Sequence, residues 1–231
     1  MYSKFLVESI TRDLFLTSDP QFGSVGLFNN VQARRNYGDI DTLHEAMISN
    51  WNATIAGHEV VLCLGDFTQN LKHVEDSRTQ VQKFSRLVNG KKILLRGNHD
   101  AEDTSWYYDC GWNCVVECPL IITNKKLQWL AAPTRFCGCL ICEFDGCRIM
   151  FSHFAIYEDD YDDCRYPLEK AYLREVFDRY QCHLNIHGHT HARSVAHPDC
   201  VSVCMERTAF TPVTVACLLD RHLDLAIQRR A

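Results

Sequence analysis

Side chains that can bind metal ions follow five short apolar runs of the sequence, at the point where each run ends. Carboxylate, amide and imidazole groups together are typical ligands of Mn²⁺, Fe, Zn²⁺ or Co²⁺, whereas Ca²⁺ prefers oxygen ligands alone. Six or seven such residues are too many for one ion and suit a pair of ions. The five segments are Asp19-Pro20-Gln21, Gly65-Asp66, Gly97-Asn98-His99-Asp100, His153 and His187-Gly188-His189-Thr190-His191.

A pair of divalent cations points to phosphate ester hydrolysis. A carboxylate such as Asp66 can bridge two cations about 3.5–4 Å apart, and the pair can bind two oxygens of a phosphoryl group and generate hydroxide between them. A plainer interpretation stays open for the short segments, because Gly, Asn and Asp are also common turn residues. Gln21 in particular could be a polar turn residue.

The apolar runs before these segments predict buried strands that carry the polar residues to one edge of a sheet. Through Asp100 the order strand, helix, strand, helix, strand predicts a parallel sheet with right-handed crossovers. The first long helix is predicted to begin at Asp39 or Asp41. The residues of the second helix that we expect to face the core are Val74, Val81, Phe84, Leu87 and Val88.

The second half of the chain has a different pattern. Short β-rich runs from Cys114 to Ser152, including Val115-Val116, predict a second, antiparallel or mixed sheet, and Asp145-Gly146 indicates a type I′ hairpin. A helix is predicted from about Leu168 to Tyr180. Closing strands are predicted over Cys200 to Met205 and Val213 to Leu219, and residues 1–231 are expected to form one domain.

Composition excludes some functions. The formal charge of -5 provides no basic field for a nucleic acid backbone, so duplex nucleic acid is an unlikely partner. The acidic loop from Glu158 to Asp163 would repel long polyanions. The chain has no apolar run of membrane-helix length and no apolar signal segment near Met1, so we expect a cytoplasmic protein without a membrane partner.

The chain has 13 cysteines. Several lie in apolar runs, where a reduced thiol behaves as a small hydrophobic group, and we favour that interpretation. A structural zinc site at Cys137, Cys139, Cys142 and Cys147, or at a second group (Cys110, Cys114 and Cys118), is the alternative.

The ordered motifs Asp19-x-Gln21, Gly65-Asp66, Gly97 to Asp100, His153 and Gly188-His189-x-His191 resemble those of the calcineurin-like metallophosphoesterases, in particular the small single-domain bacterial and phage enzymes. The resemblance implies an α/β four-layer αββα sandwich, with two mixed β-sheets flanked by helices. It also implies two divalent metal ions with distinct ligand sets. One set would be Asp19, Gln21, Asp66 and His191, and the other Asp66, Asn98, His153 and His189.

The resemblance also gives roles to the pair His99 and Asp100. His99 would stabilise the phosphoryl transition state or protonate the leaving oxygen, and Asp100 would hold its imidazole in place. Gln21 departs from the commonest first motif of the superfamily, Asp-x-His. An amide oxygen binds a cation less tightly than imidazole does, so the first site is expected to favour Mn²⁺, with Fe, Zn²⁺ or Co²⁺ as alternatives.

Substrate residues are harder to predict from sequence. Arg34, Arg35 and Arg193 could bind a second phosphate, although exposed arginines are usually only solvated. Aromatic residues just beyond the catalytic loop could stack on a base, although clustered aromatics more often pack in a core. They are Trp106, Tyr107, Tyr108 and Trp112.

These patterns predict a metal-dependent hydrolase that cleaves a small phosphodiester or a nucleotide-like phosphoester. A phosphomonoesterase or a nuclease would use the same site. A non-catalytic interaction scaffold with a degenerate first metal site would agree with Gln21, and a cysteine-rich zinc protein with incidental histidines is a third possibility. The oligomeric state is not encoded in any of these motifs.

Overall fold

A computed structural model describes residues 2–28, 36–69, 73–157 and 165–228. Helices and strands alternate in its first half, and strands dominate its middle. In chain order the elements are α1 (Tyr2–Ser9), β1 (Phe15–Thr17), α2 (Val25–Phe28), α3 (Ile40–Thr54), β2 (Val60–Cys63), α4 (Val74–Leu87), β3 (Lys91–Leu95), α5 (Ser105–Asp109), β4 (Trp112–Val116), β5 (Pro119–Thr123), β6 (Lys126–Trp129), β7 (Cys139–Phe144), β8 (Cys147–Ser152), α6 (Pro167–Arg179), β9 (Leu184–His187), β10 (Cys200–Ser202), a 3₁₀ turn (Met205–Arg207), β11 (Val213–Thr214) and α7 (Val215–Gln228).

The strands form two mixed sheets. The first has the order β11-β1-β2-β3-β4, and the second has the order β10-β9-β8-β7-β5-β6. In the first sheet β1 to β4 are parallel and only β11 is antiparallel. In the second sheet β8, β9 and β10 are parallel, whereas β7 pairs antiparallel with β8.

Alternating residues of the strands bury both faces of the first sheet. Leu62 and Leu64 pack in the core between the two sheets, and Val61 and Cys63 pack against the helices. Two outer cores complete the layers, because α3 and α4 cover the first sheet and α6 covers the second. The result is the four-layer α/β sandwich with helices on both outer faces that the sequence predicted. Each fully buried Leu or Val contributes about 1.5–3 kcal/mol to this packing.

Local signals in the sequence identified several element ends correctly. Asp39 is the N-cap of α3, and its side chain accepts a hydrogen bond from the Thr42 amide. Asp145 and Gly146 join β7 to β8, with φ angles of 52° and 80° that suit a type I′ turn. Helix α6 also lies within one residue, at each end, of the range from Leu168 to Tyr180 that the sequence predicted.

Three sequence predictions about these elements are wrong, and a fourth, the strand from Cys200 to Met205, is correct only as far as Ser202, because a 3₁₀ turn begins at Met205. Val115-Val116 belongs to the first sheet, because β4 pairs parallel with β3 rather than joining the β-rich middle segment. The predicted strand from Val213 to Leu219 is a strand for two residues only and then continues as α7. Val74 and Leu87 lie at the two ends of α4 and are 64% and 44% exposed, so the inward face of this helix is narrower than predicted.

The cysteines in the described part of the chain are free, and most of them are buried. Cys139 and Cys142 lie on opposite faces of β7, one against α6 and the other in the core between the sheets. This placement prevents a shared zinc ion. The preferred interpretation, reduced thiols that act as small hydrophobic groups, therefore agrees with the packing. Over the described residues, no helix combines the length and the apolar character needed to cross a membrane.

Candidate metal centre

The polar segments meet at one edge because of the strand directions. Strands β1, β2 and β3 are parallel, so the segments after them, with Asp19, Asp66 and Asn98, leave the same edge of the first sheet. Strands β8 and β9 are also parallel, and they bring His153 and the segment from Gly188 to His191 to the facing edge of the second sheet.

Glycines allow these segments to approach each other closely. A Cβ atom at Gly97 would lie 2.2 Å from Asp66 Oδ1, and one at Gly188 would lie 2.0 Å from Ser18 Oγ. Any side chain there would displace a candidate ligand. Five of the seven candidate ligands have left-handed backbone conformations, with φ of 55° at Asp19, 39° at Gln21, 53° at Asp66, 67° at His189 and 53° at His191.

Asp66, His153 and His189 form the centre of the site. All three are buried, and each offers a ligand atom within 4.8 Å of the other two. His153 Nδ1 donates to the carbonyl oxygen of Leu64 at 2.8 Å, which directs Nε2 towards Asp66 Oδ2 at 3.6 Å. Nε2 also lies 2.9 Å from Asn98 Oδ1. The side chains of four predicted ligands therefore converge here.

The buried histidine and carboxylates of this group shift each other's pKa values. Burial opposes the charged form of His153, but Asp66 and Asp19 outweigh it and raise the histidine pKa. Burial likewise opposes the carboxylate of Asp66, but His153 and His99 lower its pKa. The raised pKa of His153 favours a proton that compensates the carboxylate charge in the metal-free protein, and a bound cation would compensate the same charge.

A second group of predicted ligands adjoins the first. Asp19 is fully buried, and its Oδ2 accepts hydrogen bonds from the amide of His189 at 2.8 Å and the hydroxyl of Ser18. Gln21 Nε2 donates to Asp66 Oδ2 at 3.3 Å. His191 Nε2 lies 3.9 Å from Asp19 Oδ1. His191, the most exposed of the three side chains, extends the group towards solvent.

Glu206 holds His191 from the side opposite Asp19. His191 Nδ1 lies 2.8 Å from Glu206 Oε1, and the Glu206 side chain is only 1% exposed. Burial lowers the pKa of His191, but this hydrogen bond and Asp19 outweigh it and raise the pKa to about 9. Burial raises the pKa of Asp19, although His153 and His191 oppose this effect.

These residues fit divalent cations. Within the described part of the chain, Asp19 Oδ1 and Glu206 Oε2 are buried oxygens without a hydrogen-bond partner. A buried acceptor that lacks a partner destabilises the fold unless a donor or cation reaches it. The set of carboxylate oxygen, amide oxygen and imidazole nitrogen suits Mn²⁺, Fe or Zn²⁺.

The carboxylate of Asp100 does not orient His99, contrary to the sequence prediction. Its four hydrogen bonds come from the amides of Asp66, Phe67 and Gly97 and from the hydroxyl of Tyr107. Asp100 therefore ties the segment after β2 to the segment after β3. It is too deep in the fold to touch a substrate, being 1% exposed.

Among the described residues, Gln69 forms a hydrogen bond with the His99 ring. Gln69 Nε2 lies 3.0 Å from His99 Nδ1, and the His99 amide donates to Asp66 Oδ1 at 2.7 Å. When the Gln69 amide donates, the proton of a neutral His99 ring is on Nε2.

A cavity of about 530 Å³ opens over these residues. Its described lining includes Gln21, Gln69, His99, His191 and Glu206. Arg193 is exposed and is not among the described lining residues. Arg34, Arg35 and the acidic loop from 158 to 163 lie outside the described residues.

The aromatic residues after the catalytic loop belong mostly to the core. Tyr107 is fully buried, and Trp112 is buried with its indole donating to Ser85 Oγ at 2.8 Å. Tyr108 is 43% exposed, and its hydroxyl accepts from the Val115 amide. This packing favours the structural interpretation over base stacking.

Sequence reasoning missed Gln69 and Glu206. Gln69 follows β2 within the segment Gly65 to Gln69, so its place after a ligand-bearing strand was a usable signal. Glu206 lies in a 3₁₀ turn that a hydrogen bond from the Met205 amide to the Ser18 carbonyl fixes beside Asp19. No local motif marks it.

Comparisons with known proteins agree with this geometry. A family model described as calcineurin-like phosphoesterase matches residues 14–193. The chain therefore belongs to the calcineurin-like phosphoesterase family, whose chemistry is metal-dependent phosphoester hydrolysis.

Two similar proteins have no described activity. An uncharacterised protein of Methanocaldococcus jannaschii is 26% identical over 89 residues, which are 38% of this chain and 47% of that protein. The chain thus matches about half the length of this relative. A solved structure of a protein of unknown function from Aquifex aeolicus has a TM-score of 0.62 at 21% identity, with 91% of this chain and 97% of that chain covered. This likeness shows a shared fold.

Proposed function

We propose that the protein is a metal-dependent hydrolase that cleaves a small phosphodiester or nucleotide-like phosphoester at a site for two divalent cations. The proposal rests mainly on one observation. Asp66, His153 and His189 converge within 4.8 Å beside the partnerless Oδ1 of Asp19, at the edge where the two sheets meet. Family membership supports the reaction class.

Seven residues would hold the two cations. Asp66 lies between the two groups, since His153 and Gln21 both approach its Oδ2, and it is the proposed bridging ligand. Asn98, His153 and His189 would complete one ion's ligands. Asp19, Gln21 and His191 would complete those of the other. When bound, two such cations stabilise charge on phosphoryl oxygens and lower the pKa of water.

We propose that His99 stabilises the phosphoryl transition state. Its ring lines the cavity, and the Gln69 contact leaves the proton of the neutral ring on Nε2, which can donate a hydrogen bond to a phosphoryl or leaving oxygen. The contact between the His99 amide and Asp66 links this ring to the metal ligands. Asp100 supports both through the loop backbone, so we assign it a positioning role.

A chromogenic phosphodiester and a matched monoester test the proposal. Metal-stripped protein should show no turnover, Mn²⁺ should restore it, and Asp66→Asn should lose it. His99→Ala should lose turnover while it retains bound metal, because His99 is not a proposed ligand. Asp109→Asn, outside the cavity lining, is the matched control for Asp66→Asn. Lack of turnover with Mn²⁺, Fe²⁺, Zn²⁺ and Co²⁺ would refute the hydrolase and favour a scaffold role.

The size of the cavity over the metal centre limits the class of ester that it can bind. The cavity of about 530 Å³, bordered by α2 and the His191 segment, can contain a mononucleotide-sized ligand. A panel of mononucleotides, cyclic nucleotides and single-stranded oligonucleotides separates the proposed phosphodiesterase from a phosphomonoesterase or a nuclease. The ratio of diester to monoester turnover decides between the first two.

A further inference from the structure

Cys204 contacts Asp19, one of the proposed metal ligands. Its Sγ lies 3.3 Å from Asp19 Oδ2, and both side chains are fully buried. Cys204 is distant from Asp19 in sequence, so this contact forms only when the two sheets come together. The proposed hydrolysis gives the thiol no role.

Backbone hydrogen bonds to both sheets fix the position of Cys204. It follows β10 of the second sheet and forms an isolated parallel β-bridge with Ser18, which follows β1 of the first sheet. The Met205 amide donates to the Ser18 carbonyl at 3.0 Å, and the Val203 amide donates to the His187 carbonyl at 2.9 Å. The thiol is therefore held in place by the residues on both sides of it.

Three donors from three segments of the chain surround Asp19 Oδ2. They are the Ser18 hydroxyl at 2.5 Å, the His189 amide at 2.8 Å and the Cys204 thiol at 3.3 Å. A thiolate here would bring a second negative charge into contact with a buried carboxylate, so the thiol keeps its proton and donates. Because a carboxylate oxygen has about two lone pairs, these donors leave no place on Oδ2 for a cation.

The other oxygen of Asp19 has the opposite environment. Over the described residues, Oδ1 is buried and has no hydrogen-bond partner. His191 Nε2 lies 3.9 Å from it, and His191 also lines the cavity over the metal centre. A buried carboxylate oxygen without a partner is costly unless a donor or cation reaches it. The unequal environments of the two oxygens therefore select Oδ1 as the metal-binding atom.

We propose that Cys204 is a positioning residue of the metal centre, which holds the Asp19 carboxylate so that it binds a cation through Oδ1 alone. The thiol acts through Asp19 and contacts neither the ion nor the substrate. Without the thiol, Oδ2 keeps two of its three donors, and the carboxylate is held less firmly in the orientation that binds metal. This role rests on the proposed metal site and adds to it a residue outside the ligand set.

Infrared spectroscopy of the metal-stripped protein tests the contact itself. A hydrogen bond from a thiol lowers the frequency of its S–H stretch, and the difference spectrum between the parent and Cys204→Ala isolates the band of this thiol. In the Asp19→Ala background, the same difference should give a band at higher frequency, because the acceptor is gone. This measurement requires neither bound metal nor turnover.

Mn²⁺ titration followed by electron paramagnetic resonance tests the consequence for metal binding. Cys204→Ala should weaken the ion held by Asp19 by about tenfold, since a partner of a ligand commonly contributes 10–100-fold and a thiol is a weak donor. Cys204→Ser supplies a stronger donor on a shorter bond and should recover most of this affinity. Cys182→Ala removes another fully buried thiol, in the core beneath α6, and should leave the titration unchanged. Thermal unfolding checks that each variant is folded.

Three results would overturn the proposal. An S–H band of Cys204 that is the same with and without Asp19 would show that the thiol does not donate to this carboxylate. Unchanged Mn²⁺ affinity in Cys204→Ala would show that the contact does not affect metal binding. Equal weakening in Cys204→Ala and Cys204→Ser would show that the thiol only fills space. A protein that shows the expected band shift and Mn²⁺ affinities but cleaves no ester would refute the hydrolase alone, so the two proposals can fail separately.

Discussion

The two groups of proposed metal ligands differ in how completely the protein itself assembles them. Asp66, His153 and His189 are buried and lie close enough together to share a cation. In the other group, the His191 side chain is 32% exposed and is hydrogen-bonded to Glu206 rather than to another proposed ligand. The difference predicts one tight metal site and one weak one.

The physical origin of this difference is the nature of the supporting contacts. A backbone carbonyl within the sheet fixes the His153 ring, so its Nε2 stays directed at Asp66 without metal. The His191 ring is held by a side-chain carboxylate instead, and Gln21, the other proposed ligand here, offers an amide oxygen, which binds these cations less tightly than imidazole does. Preorganised ligands lose less entropy when the ion binds.

The largest expected effect is at the preassembled group. His153→Asn should lower turnover by about 10³-fold or more, because loss of a cation removes several kcal/mol of transition-state stabilisation. Mn²⁺ titration followed by electron paramagnetic resonance should show that the tight binding phase is lost. His58→Asn, at an exposed histidine, is the control. Retention of both phases would contradict the unequal-site model.

A smaller effect is expected at Glu206. Glu206→Gln should weaken the second Mn²⁺ by about 10–100-fold, since the partner of a ligating histidine sets its orientation and basicity. The tight phase should be unchanged. Glu102→Gln, an exposed carboxylate paired with Arg135, is the matched control. Equal weakening of both phases would indicate a general loss of structure rather than a role for His191.

Gln21→His should make the two sites more alike. Imidazole is a stronger ligand than an amide oxygen for these cations, so the weak phase should tighten by about tenfold. Histidine also tolerates the left-handed backbone at this position, where φ is 39°. The same titration measures the result. If affinity is unchanged, Gln21 is a turn residue and not a ligand.

The smallest effect is on the pH dependence of stability in the metal-free protein. The pKa of His191 is raised to about 9, so its stabilising interaction is complete below about pH 6.5 and is lost as the pH rises through 9. The pKa of His187 is lowered to about 4, because burial disfavours its charged form. Its contribution is complete above about pH 6.5 and is lost as the pH falls towards 4.

Melting temperatures of metal-stripped variants, measured against pH, check the predicted direction of both pH dependences. The difference between the parent protein and His191→Gln should be greatest near pH 6 and should shrink by pH 9.5. For His187→Asn, the difference should instead shrink below pH 6. A His191 difference that grows with pH would contradict the assigned hydrogen bond to Glu206.

Sequence could predict the parts of this protein that depend on local chemistry. The strand ends, the Asp39 cap and the Asp145-Gly146 turn each follow from a few neighbouring residues. The ordered motifs also predicted the family and the layered fold. The Asp19 and Asp66 segments converge as expected, because the parallel strands before them share one edge, and His153 faces them from the edge of the second sheet.

Other features depend on contacts between distant segments. Val115-Val116 has the same β-rich pattern whichever sheet it joins, and its sheet is determined by the pairing of β4 with β3. Val215 to Leu219 is apolar enough for a strand, yet it continues as a helix that packs on the core between the sheets. Asp100 looked like a partner of the adjacent His99, but the backbone amides of the β2 segment occupy its carboxylate.

The left-handed backbone at the proposed ligands has a consequence for engineering this protein. Each non-glycine residue in that conformation costs roughly 1–2 kcal/mol relative to the right-handed one, and glycine avoids most of this strain. Five of the ligand positions have it: Asp19, Gln21, Asp66, His189 and His191. At Gln21, whose side chain makes one long hydrogen bond to Asp66, random mutagenesis screened for heat tolerance alone should therefore enrich glycine and yield a more stable protein with weaker metal binding.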